Sequence, residues 1–547
     1  MLKHCFNRPL SSTVVTQPHG QWLARRSLAR DQHSASLGSS SSRHTIAALL
    51  ASPSGLAENE SVVIQGFVRS VRKHKRVSFA AIGDGSTIKP LQVVLSPIQA
   101  QDLTNGIAVT VHGAWKQSAL GKDQSHEVHA TDVKILSSLD PTTYPLQNKY
   151  HTVEYLRTIP HLRSRTNLNS LFLRLRSQSI ARLSSFLASQ DFIQTHPPII
   201  TSSDCEGAGE VFGVARNSPK AQPPGNPPQD AAQALPFFGD PKYLTVSSQL
   251  HLEALAQSVS RVWTLSPTFR AERSDTARHL SEFYMLEVEL SFSDDLEQIM
   301  ALLEGLVRDL VVGLRDSQIG QELLSVKRMG EADGEEGQLA SAESLEQRWQ
   351  GLADDPWPRI TYTQAMGRLT QAFESEQATF QFKPTWLSGF QAEHERFIAE
   401  TVGRGRPVFV TDYPRRLKPF YMTPSSESQG PTPEPTVSCF DLLLPEVCEI
   451  AGGSMREHRL RELLSSMHEH GLIKGPATTG ASEAPPSSLP SDEELGSLKW
   501  YVELRRWGSV PHGGFGLGFD RLLGYLAGVP NIREIVTFPR WIGRCDC

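Results

Sequence analysis

Two amphipathic segments joined by a charged loop decide the fold of this chain. The first is Phe269-Arg270-Ala271-Glu272, the loop covers residues 273–280, and the return segment is Glu282-Phe283-Tyr284-Met285-Leu286-Glu287-Val288-Glu289-Leu290. Alternate residues of a strand share a face. The pattern therefore predicts a β-hairpin with one apolar face and one face that carries guanidinium and carboxylate groups.

Phe283 lies on the charged face of this predicted hairpin. An aromatic ring gains little there unless a flat partner stacks on it, and the adenine of ATP would suit it. The alternative is a surface hairpin with ordinary ion pairs, which such charge patterns often form.

A glycine-rich segment near the other end of the chain favours the nucleotide interpretation. Residues 513–518 read Gly-Gly-Phe-Gly-Leu-Gly and lead into an apolar helix that should end near Gly528. Arg521 then falls in the first helical turn, where free N–H groups and the helix dipole favour anions. The spacing does not fit the dinucleotide fingerprint G-x-G-x-x-G, and no Walker-type phosphate loop is present.

Together these two segments resemble motifs 2 and 3 of the class II aminoacyl-tRNA synthetases, in the aspartyl, asparaginyl and lysyl subclass. Within it the chain is similar to the asparaginyl family from about Val62 to Arg540. Further matching motifs occupy residues 204–210, 245–250, 411–414, 420–422, 441–449, 452–457 and 531–534. The resemblance implies an α+β fold, with an OB-type β-barrel followed by a catalytic domain built on an antiparallel β-sheet flanked by helices.

Composition is compatible with this interpretation. The 547 residues are long enough for more than one domain, and a net charge of −5 gives no global positive field for a nucleic acid. Any RNA contact must therefore use local patches. The six cysteines form no CxxC pair, which indicates reduced thiols in a protein that is not secreted.

Residues 1–45 are basic, rich in serine and almost free of acids, which is typical of a mitochondrial transit peptide. We therefore expect the protein in the mitochondrial matrix, although a disordered basic tail has the same composition. No stretch approaches the ~20 apolar residues that a membrane span requires, so no membrane partner is expected.

Residues 46–136 contain five short alternating segments, which predict an OB-type barrel. A basic cluster at residues 69–76 lies beside Phe79 and could contact phosphates next to a stacking ring. By resemblance this domain binds the tRNA anticodon, with Phe79 and Gln92 at the base-reading positions. Residues 137–165 are predicted to be a linker.

Residues 166–547 should form the catalytic domain. Apolar residues at helical spacing from Leu171 to Leu187, followed by Pro198, match the arrangement of family motif 1. This match implies a homodimer. Four low-complexity stretches, near residues 218–239, 329–346, 424–436 and 475–492, are predicted to be surface insertions without catalytic residues.

The resemblance also implies roles for the ATP-binding residues. Arg270 would hold the α-phosphate and Glu272 the adenine amino group. Arg278 and His279 would contact the outer phosphates, and Arg521 would bind the γ-phosphate while covering the adenine opposite Phe283. Asp441 and Glu449, eight residues apart, would hold Mg²⁺. Arg270 and Arg521 are the candidate catalytic residues, since fixed cations stabilise the charge that develops on the phosphates.

Fewer residues are expected to bind and select the amino-acid substrate. Aspartate-specific relatives carry a lysine three residues after the glutamine that here is Gln249, and this chain has Leu252 instead. Glu253 would accept from a carboxamide and repel a second carboxylate, while Arg456 would donate to the amide oxygen. The α-ammonium region would be bound by Glu206, Glu210 and Gln249. The chain departs from the family twice, with His251-Leu252 in place of Asn-Gly and Cys448 in place of Gly, and the first departure stands near the selectivity position.

The resemblance thus implies ATP-dependent ligation of L-asparagine to tRNA(Asn) through an asparaginyl-adenylate. An aspartyl or relaxed-specificity synthetase is the alternative within the subclass. A catalytically inactive RNA-binding paralogue is the alternative of another class, and the complete set of charged candidates argues against it.

Overall fold

The computed structural model describes residues 44–202, 210–215, 237–326, 339–354, 356–426, 432–473 and 490–547. The predicted transit peptide lies almost wholly outside these ranges, and so do Glu206 and large parts of the four low-complexity stretches. The last residues of the stretch 329–346 are helical, because a helix begins there at Ala342.

The described strands and helices have the following bounds. The strands are β1 Ser61–Arg72, β2 Ser78–Gly83, β3 Leu91–Leu95, β4 Ala108–Gln117, β5 His126–Ile135, β6 Ile193–Gln194, β7 Ile200–Thr201, β8 Gly213–Val214, β9 Lys242–Leu244, β10 Arg261–Phe269, β11 Glu282–Ser291, β12 Arg359–Thr361, β13 Val408–Pro414, β14 Thr436–Leu444, β15 Cys448–Arg456 and β16 His512–Gly518. The α-helices are α1 Ile46–Ala51, α2 Pro97–Ala100, α3 Val153–Thr158, α4 Pro160–Arg163, α5 Asn167–Ser189, α6 Gln249–Val259, α7 Leu296–Arg315, α8 Gln318–Ser325, α9 Ala342–Ala353, α10 Tyr362–Glu374, α11 Ala392–Ile398, α12 Leu460–Glu469, α13 Asp492–Leu495, α14 Lys499–Arg506, α15 Phe519–Ala527 and α16 Ile532–Ile535.

The first five strands close into a barrel in the order β1-β2-β3-β5-β4. Its core holds the inward-facing half of each strand, for example Ala80 and Ile82 of β2 with Leu91 and Val93 of β3. The side chains that alternate with them face outward. This confirms the OB-type barrel that the sequence predicts.

The catalytic region is built on an eight-stranded sheet in the order β12-β13-β14-β15-β16-β11-β10-β6. The six central strands are antiparallel, as predicted, while β12 and β6 add parallel pairs at the two edges. Helices α5, α7 and α15 cover one face with a large apolar core. The opposite face of the central strands is therefore left for the site.

The hairpin differs from its predicted form in one respect. β10 ends at Phe269, so Arg270 and Glu272 belong to the connecting loop and strand alternation does not orient them. The return strand matches the prediction, since Leu286, Val288 and Leu290 face the core. The apolar side ends there, since Phe292 follows the end of β11 at a positive φ of 61° and is 74% exposed.

The linker after the barrel is not an open chain. It contains α3 and α4, and the fully buried Arg163 donates to the backbone oxygen of Arg533 over 2.9 Å. Arg157 of α3 forms an ion pair with Glu534 at 2.5 Å. The linker is thus fastened to α16. In the described ranges no helix has the length and apolar character needed to cross a membrane.

Candidate active site

A cavity of about 420 Å³ lies on the open face of the central strands. Its wall comes from β11, β14, β15, β16, the start of α15 and the loop between β10 and β11. Ten of the residues singled out by sequence line it, namely Gln249, Arg270, Glu272, Arg278, His279, Phe283, Asp441, Glu449, Arg456 and Arg521. Segments as far apart in the chain as Gln249 and Arg521 therefore meet in one cavity.

Close packing of β16 against β11 explains the glycine-rich sequence. A Cβ at position 514 would lie 2.1 Å from the backbone oxygen of Val288, and one at position 516 would lie 2.6 Å from Cε of Met285. The backbone contact excludes a side chain at position 514, and a side chain at position 516 would displace the end of Met285. The glycines of β16 thus leave space beside Phe283, Met285 and Glu287 for a ligand.

Positive charge collects at one end of the cavity, which we call the phosphate end and define by Arg270, Arg278, His279 and Arg521. The Arg270 guanidinium lies 5.7 Å from the Phe283 ring centre and 3.7 Å from Glu272. Arg521 donates to the backbone oxygen of Glu449 over 3.0 Å. The side chains of Arg270, Glu272 and His279 are each about one third exposed. These groups are therefore accessible to a polyanion.

The start of α15 is held by Asp520, next to Arg521. Its carboxylate accepts from the backbone N–H of Tyr284 over 2.7 Å and forms an ion pair with Arg176 of α5. The Arg176 guanidinium also stacks over Tyr284 and Phe519. Arg521 thus stands on a helix end that is fixed to both the hairpin and α5.

Two carboxylates face the cavity across Gly452. A Cβ at this position would lie 3.4 Å from Oδ1 of Asp441 and 3.5 Å from Oε1 of Glu449, so both oxygens converge on one point. The Asp441 charge raises the pKa of Glu449. A shared cation would relieve this repulsion, and oxygen ligands suit Mg²⁺. The described residues contain no group of three or more metal-ligating side chains, so ATP oxygens and water would have to complete such a site.

Sequence reasoning missed two charged residues beside these carboxylates. Nζ of Lys418 donates to both oxygens of Asp441 at 2.7 and 2.8 Å and lies 4.0 Å from the Tyr413 ring centre. Burial opposes the charge on Lys418, but Asp441 outweighs it and raises the pKa of the lysine. Burial and the charges of Glu449 and Asp441 raise the pKa of Glu395 to about 7. The only signal for Lys418 was its position two residues before the motif Phe420-Tyr421-Met422.

Buried ion pairs form the opposite end of the cavity, which we call the amino-acid end and define by Gln249, Glu287, Glu289 and Arg456. Arg456 donates from Nε and Nη2 to the two oxygens of Glu289 at 3.1 and 3.0 Å, and both side chains are at most 3% exposed. Glu287 accepts from the Ser247 hydroxyl and from the backbone N–H of Ser248. Burial raises the pKa values of Glu287 and Glu289. This end is preorganised before any ligand arrives.

Glu253, predicted to contact the substrate amide, does not line the cavity. The structure buries it completely behind Gln249 instead of bringing it to the cavity wall, because α6 packs this face against α14 and β16. One carboxylate oxygen accepts from Tyr501, Arg505 and His512, and the other accepts from Nε2 of Gln249 over 3.0 Å. Although burial opposes ionisation, Arg505 and His512 hold the pKa of Glu253 well below its usual range.

The remaining amino-acid candidates are less informative. The side chain of Glu210 is exposed and does not line the cavity, although its backbone oxygen accepts from the N–H of Ala271 over 2.8 Å. Glu206 lies outside the described residues. The hydroxyl of Thr245 donates to the backbone oxygen of Ser247 over 2.6 Å.

Comparison with known proteins agrees with this geometry. Residues 152–542 match the model of tRNA synthetases class II (D, K and N), and residues 62–136 match an OB-fold nucleic acid binding domain. The chain belongs to the class II tRNA synthetases. It is 39% identical to the mitochondrial asparagine–tRNA ligase of Saccharomyces cerevisiae, over 88% of this chain and 92% of that one.

Two further relatives give the same result. The mitochondrial asparagine–tRNA ligase of Schizosaccharomyces pombe is 38% identical over 88% of this chain and 95% of its own. The asparaginyl-tRNA synthetase of Pyrococcus horikoshii, solved with asparaginyl-adenylate, superposes with a TM-score of 0.70 at 26% identity, covering 89% of this chain and 96% of that chain.

In this synthetase the two anticodon candidates share the outer face of the barrel. Phe79 pairs with Val94, Ala81 pairs with Gln92, and the intervening residues point into the core. Nε2 of Gln92 donates to Glu127 over 2.6 Å, and Glu127 in turn contacts His129 at 3.0 Å. Phe79 is half-buried, and its ring lies at a steep angle to that of His74, with 6.3 Å between ring centres.

Proposed function

We propose that this protein joins L-asparagine to tRNA(Asn) in two steps, with asparaginyl-adenylate as the intermediate and ATP as the energy source. The observation that carries the proposal is the meeting, in one cavity, of an exposed cationic end and a buried end that offers both donors and acceptors. The 38–39% identity to two mitochondrial asparagine–tRNA ligases supports it.

At the phosphate end, ATP would be bound with its adenine between the Phe283 ring and the Arg521 guanidinium. Arg270 would contact the α-phosphate, where the amino-acid carboxylate attacks and pyrophosphate leaves. Negative charge increases there in the transition state, and prepositioned guanidinium groups stabilise it most strongly. Glu272 would accept from the adenine amino group, while Arg278 and His279 would contact the departing phosphates.

Asp441 and Glu449 would hold Mg²⁺ on the phosphates, where the ion neutralises charge on the reacting and leaving groups. Lys418 keeps Asp441 in place on this chain, since it donates to both of its oxygens. The convergence of the two carboxylates over Gly452 supports the assignment.

At the amino-acid end, selection would rest on Arg456 and on the carboxylates around it. Arg456 donates three of its five N–H groups to Glu289 and Ser454, which leaves donors for the amide oxygen of the substrate. Leu252 lines the cavity and brings no cation. Because Arg456 is already paired with Glu289, a substrate carboxylate would add negative charge beside Glu289 and Glu287 without a further cation, whereas a carboxamide adds none.

Glu253 would act through Gln249. Because its carboxylate receives the Nε2 donor of that glutamine, the carbonyl oxygen of Gln249 is left to accept from the α-ammonium group of the substrate. Glu206 keeps the α-ammonium contact that the sequence predicts for it. Glu210, whose side chain lies off the cavity wall, would reach the same region only after a local rearrangement. This role replaces the direct amide contact that the sequence suggested for Glu253.

The rest of the proposal concerns assembly and location. The barrel would hold the anticodon of tRNA(Asn) with Phe79 and Gln92, and two chains would form a homodimer. The mitochondrial location of the two fungal relatives supports a location in the mitochondrial matrix, with residues 1–45 as the transit peptide. Removal of residues 1–42 should abolish import into isolated mitochondria and preserve aminoacylation; full uptake of the shortened chain would contradict the location.

ATP–pyrophosphate exchange with each of the twenty amino acids tests the activity. We expect exchange with L-asparagine, followed by charging of tRNA(Asn) in the same preparation. Exchange with aspartate as well would indicate the relaxed-specificity alternative. Absence of exchange with every amino acid would support an inactive RNA-binding paralogue and contradict the proposal.

A further inference from the structure

The loop that presents Arg278 and His279 to the cavity rests on α16, near the C-terminus. We propose that Arg533 of this helix is a positioning residue, which fixes the loop at residues 274–279 for contact with the phosphates of ATP. The proposal rests on the proposed function in one respect, because the loop position affects catalysis only if the cavity binds ATP.

Three consecutive residues of the loop contact α16. Nη2 of Arg533 donates to Oδ1 of Asp275 over 2.6 Å and to the backbone oxygen of Thr276 over 3.1 Å. The backbone N–H of Ile532 donates to the oxygen of Ala277 over 2.9 Å. The backbone of the loop is thus fixed immediately before Arg278.

Thr276 connects the backbone of the loop to the two residues that line the cavity, Arg278 and His279. Its hydroxyl lies 2.6 Å from Nδ1 of His279 and accepts from the backbone N–H of Arg278 at 3.3 Å. Ser274 adds a second hydroxyl 3.0 Å from the same ring nitrogen. A shift of Thr276 would therefore move both cavity residues together.

Arg533 is itself held on its other sides. Its guanidinium lies 4.6 Å from the Trp541 ring centre, and its side chain is 8% exposed. Its backbone oxygen accepts from Arg163, and the next residue, Glu534, pairs with Arg157. Both of these arginines belong to the linker that follows the barrel. Arg533 thus connects the loop at residues 274–279 to the linker through α16.

The contact contributes little to global stability, because the Asp275 side chain is 67% exposed and exposed ion pairs add little to folding. In contrast, displacement of a binding group by about 1 Å can lower a catalytic rate by up to ~100-fold. Loss of the contact should therefore change ATP handling far more than the melting temperature.

The first test uses Asp275→Ala in the full-length chain. We expect the KM for ATP in pyrophosphate exchange to rise by roughly 5–20-fold, with the KM for asparagine within about 2-fold of the parent value. Amide hydrogen exchange in residues 274–279 should accelerate without ATP present, since the loop loses an anchor. Asp275→Asn keeps an oxygen acceptor and should fall between the parent and the alanine variant.

Arg533→Lys keeps the charge but loses the planar fork and the stacking on Trp541. It should raise the KM for ATP at least as much as Asp275→Ala does, because it also weakens the contact with the Thr276 backbone oxygen. The double variant should show a less than additive effect, because the two substitutions share the contact between Asp275 and Arg533. The matched control is Asp309→Asn. Asp309 of α7 forms an exposed bidentate pair with Arg182 of α5, with both contacts at 2.6 Å, away from the cavity. This substitution should change neither the KM for ATP nor the hydrogen exchange of the loop.

Unchanged loop exchange together with an unchanged KM for ATP in Asp275→Ala would overturn the positioning role. An effect equal to that of Asp309→Asn would overturn it as well. Failure of the proposed function gives a different result, because the parent protein would then lack pyrophosphate exchange with every amino acid while the hydrogen-exchange comparison would still report on the loop.

Discussion

The two ends of the cavity are built in opposite ways. At the phosphate end Arg270, Glu272 and His279 are about one third exposed, and the contacts of Glu272 with Arg270 and His279 are long, at 3.7 Å. At the amino-acid end Glu289 and Arg456 are at most 3% exposed and joined by two hydrogen bonds of 3.0 and 3.1 Å.

This difference follows from what each end has to recognise. A triphosphate brings several negative charges of its own, which partly exposed arginines can bind through charge-assisted hydrogen bonds. A carboxamide brings no charge and differs from a carboxylate by one NH₂ group, so the protein must fix its donors and acceptors beforehand. Discrimination therefore requires the buried pairs, whereas nucleotide binding does not.

The largest expected effect on folding is at the amino-acid end. Arg456→Met leaves the Glu289 carboxylate buried without its partner, which should lower the free energy of unfolding by about 3–5 kcal/mol. Urea denaturation followed by fluorescence measures this. The double variant Arg456→Met/Glu289→Gln should recover part of the loss, and a single variant with parent stability would show that the pair is not structurally important.

Substitutions at the phosphate end should lower activity and leave stability almost unchanged. Arg270→Ala and Arg521→Ala should each reduce adenylate formation by at least ~100-fold, because each removes a charge-assisted donor to the reacting phosphates. The melting temperature should remain close to that of the parent, since these side chains face the cavity. Near-normal pyrophosphate exchange in either variant would refute the phosphate assignment.

A change in the barrel should affect neither end. Phe79→Ala removes the stacking ring and should cost ~1–3 kcal/mol of tRNA binding energy, while tRNA-independent pyrophosphate exchange stays almost unchanged. Charging, exchange and melting temperature are measured on one preparation. Parallel losses in charging and exchange with a lowered melting temperature would indicate that Phe79 is only a packing residue.

Local pattern and family motifs made the phosphate end predictable from sequence. Strand alternation correctly placed Phe283 on the open face, and the glycine-rich strand correctly placed Arg521 at a helix start. Alternation failed for Arg270 because β10 ends one residue earlier. Even so, the cavity gathers the same residues, since the loop turns Arg270 toward Phe283.

The amino-acid end was less predictable because its contacts are long-range. Gln249 and Glu253 are four residues apart on α6 and share a face, which the sequence does suggest. The partners that take up the Glu253 carboxylate lie 248, 252 and 259 residues further along the chain. No local pattern could show that these partners place Glu253 behind Gln249. Lys418 was missed for a similar reason. It lies just before the motif Phe420-Tyr421-Met422 but outside it, and its partner Asp441 is 23 residues away in the chain.

The most direct test of the account is the ratio of kcat/KM for L-asparagine and L-aspartate in ATP–pyrophosphate exchange. A preorganised site with buried Glu289 and Glu287 and no cation at Leu252 should favour asparagine by at least ~10³-fold, because a polar site rejects a substrate that leaves buried charge uncompensated. Comparable values for the two amino acids would contradict the central claim that the buried end of the cavity selects the carboxamide.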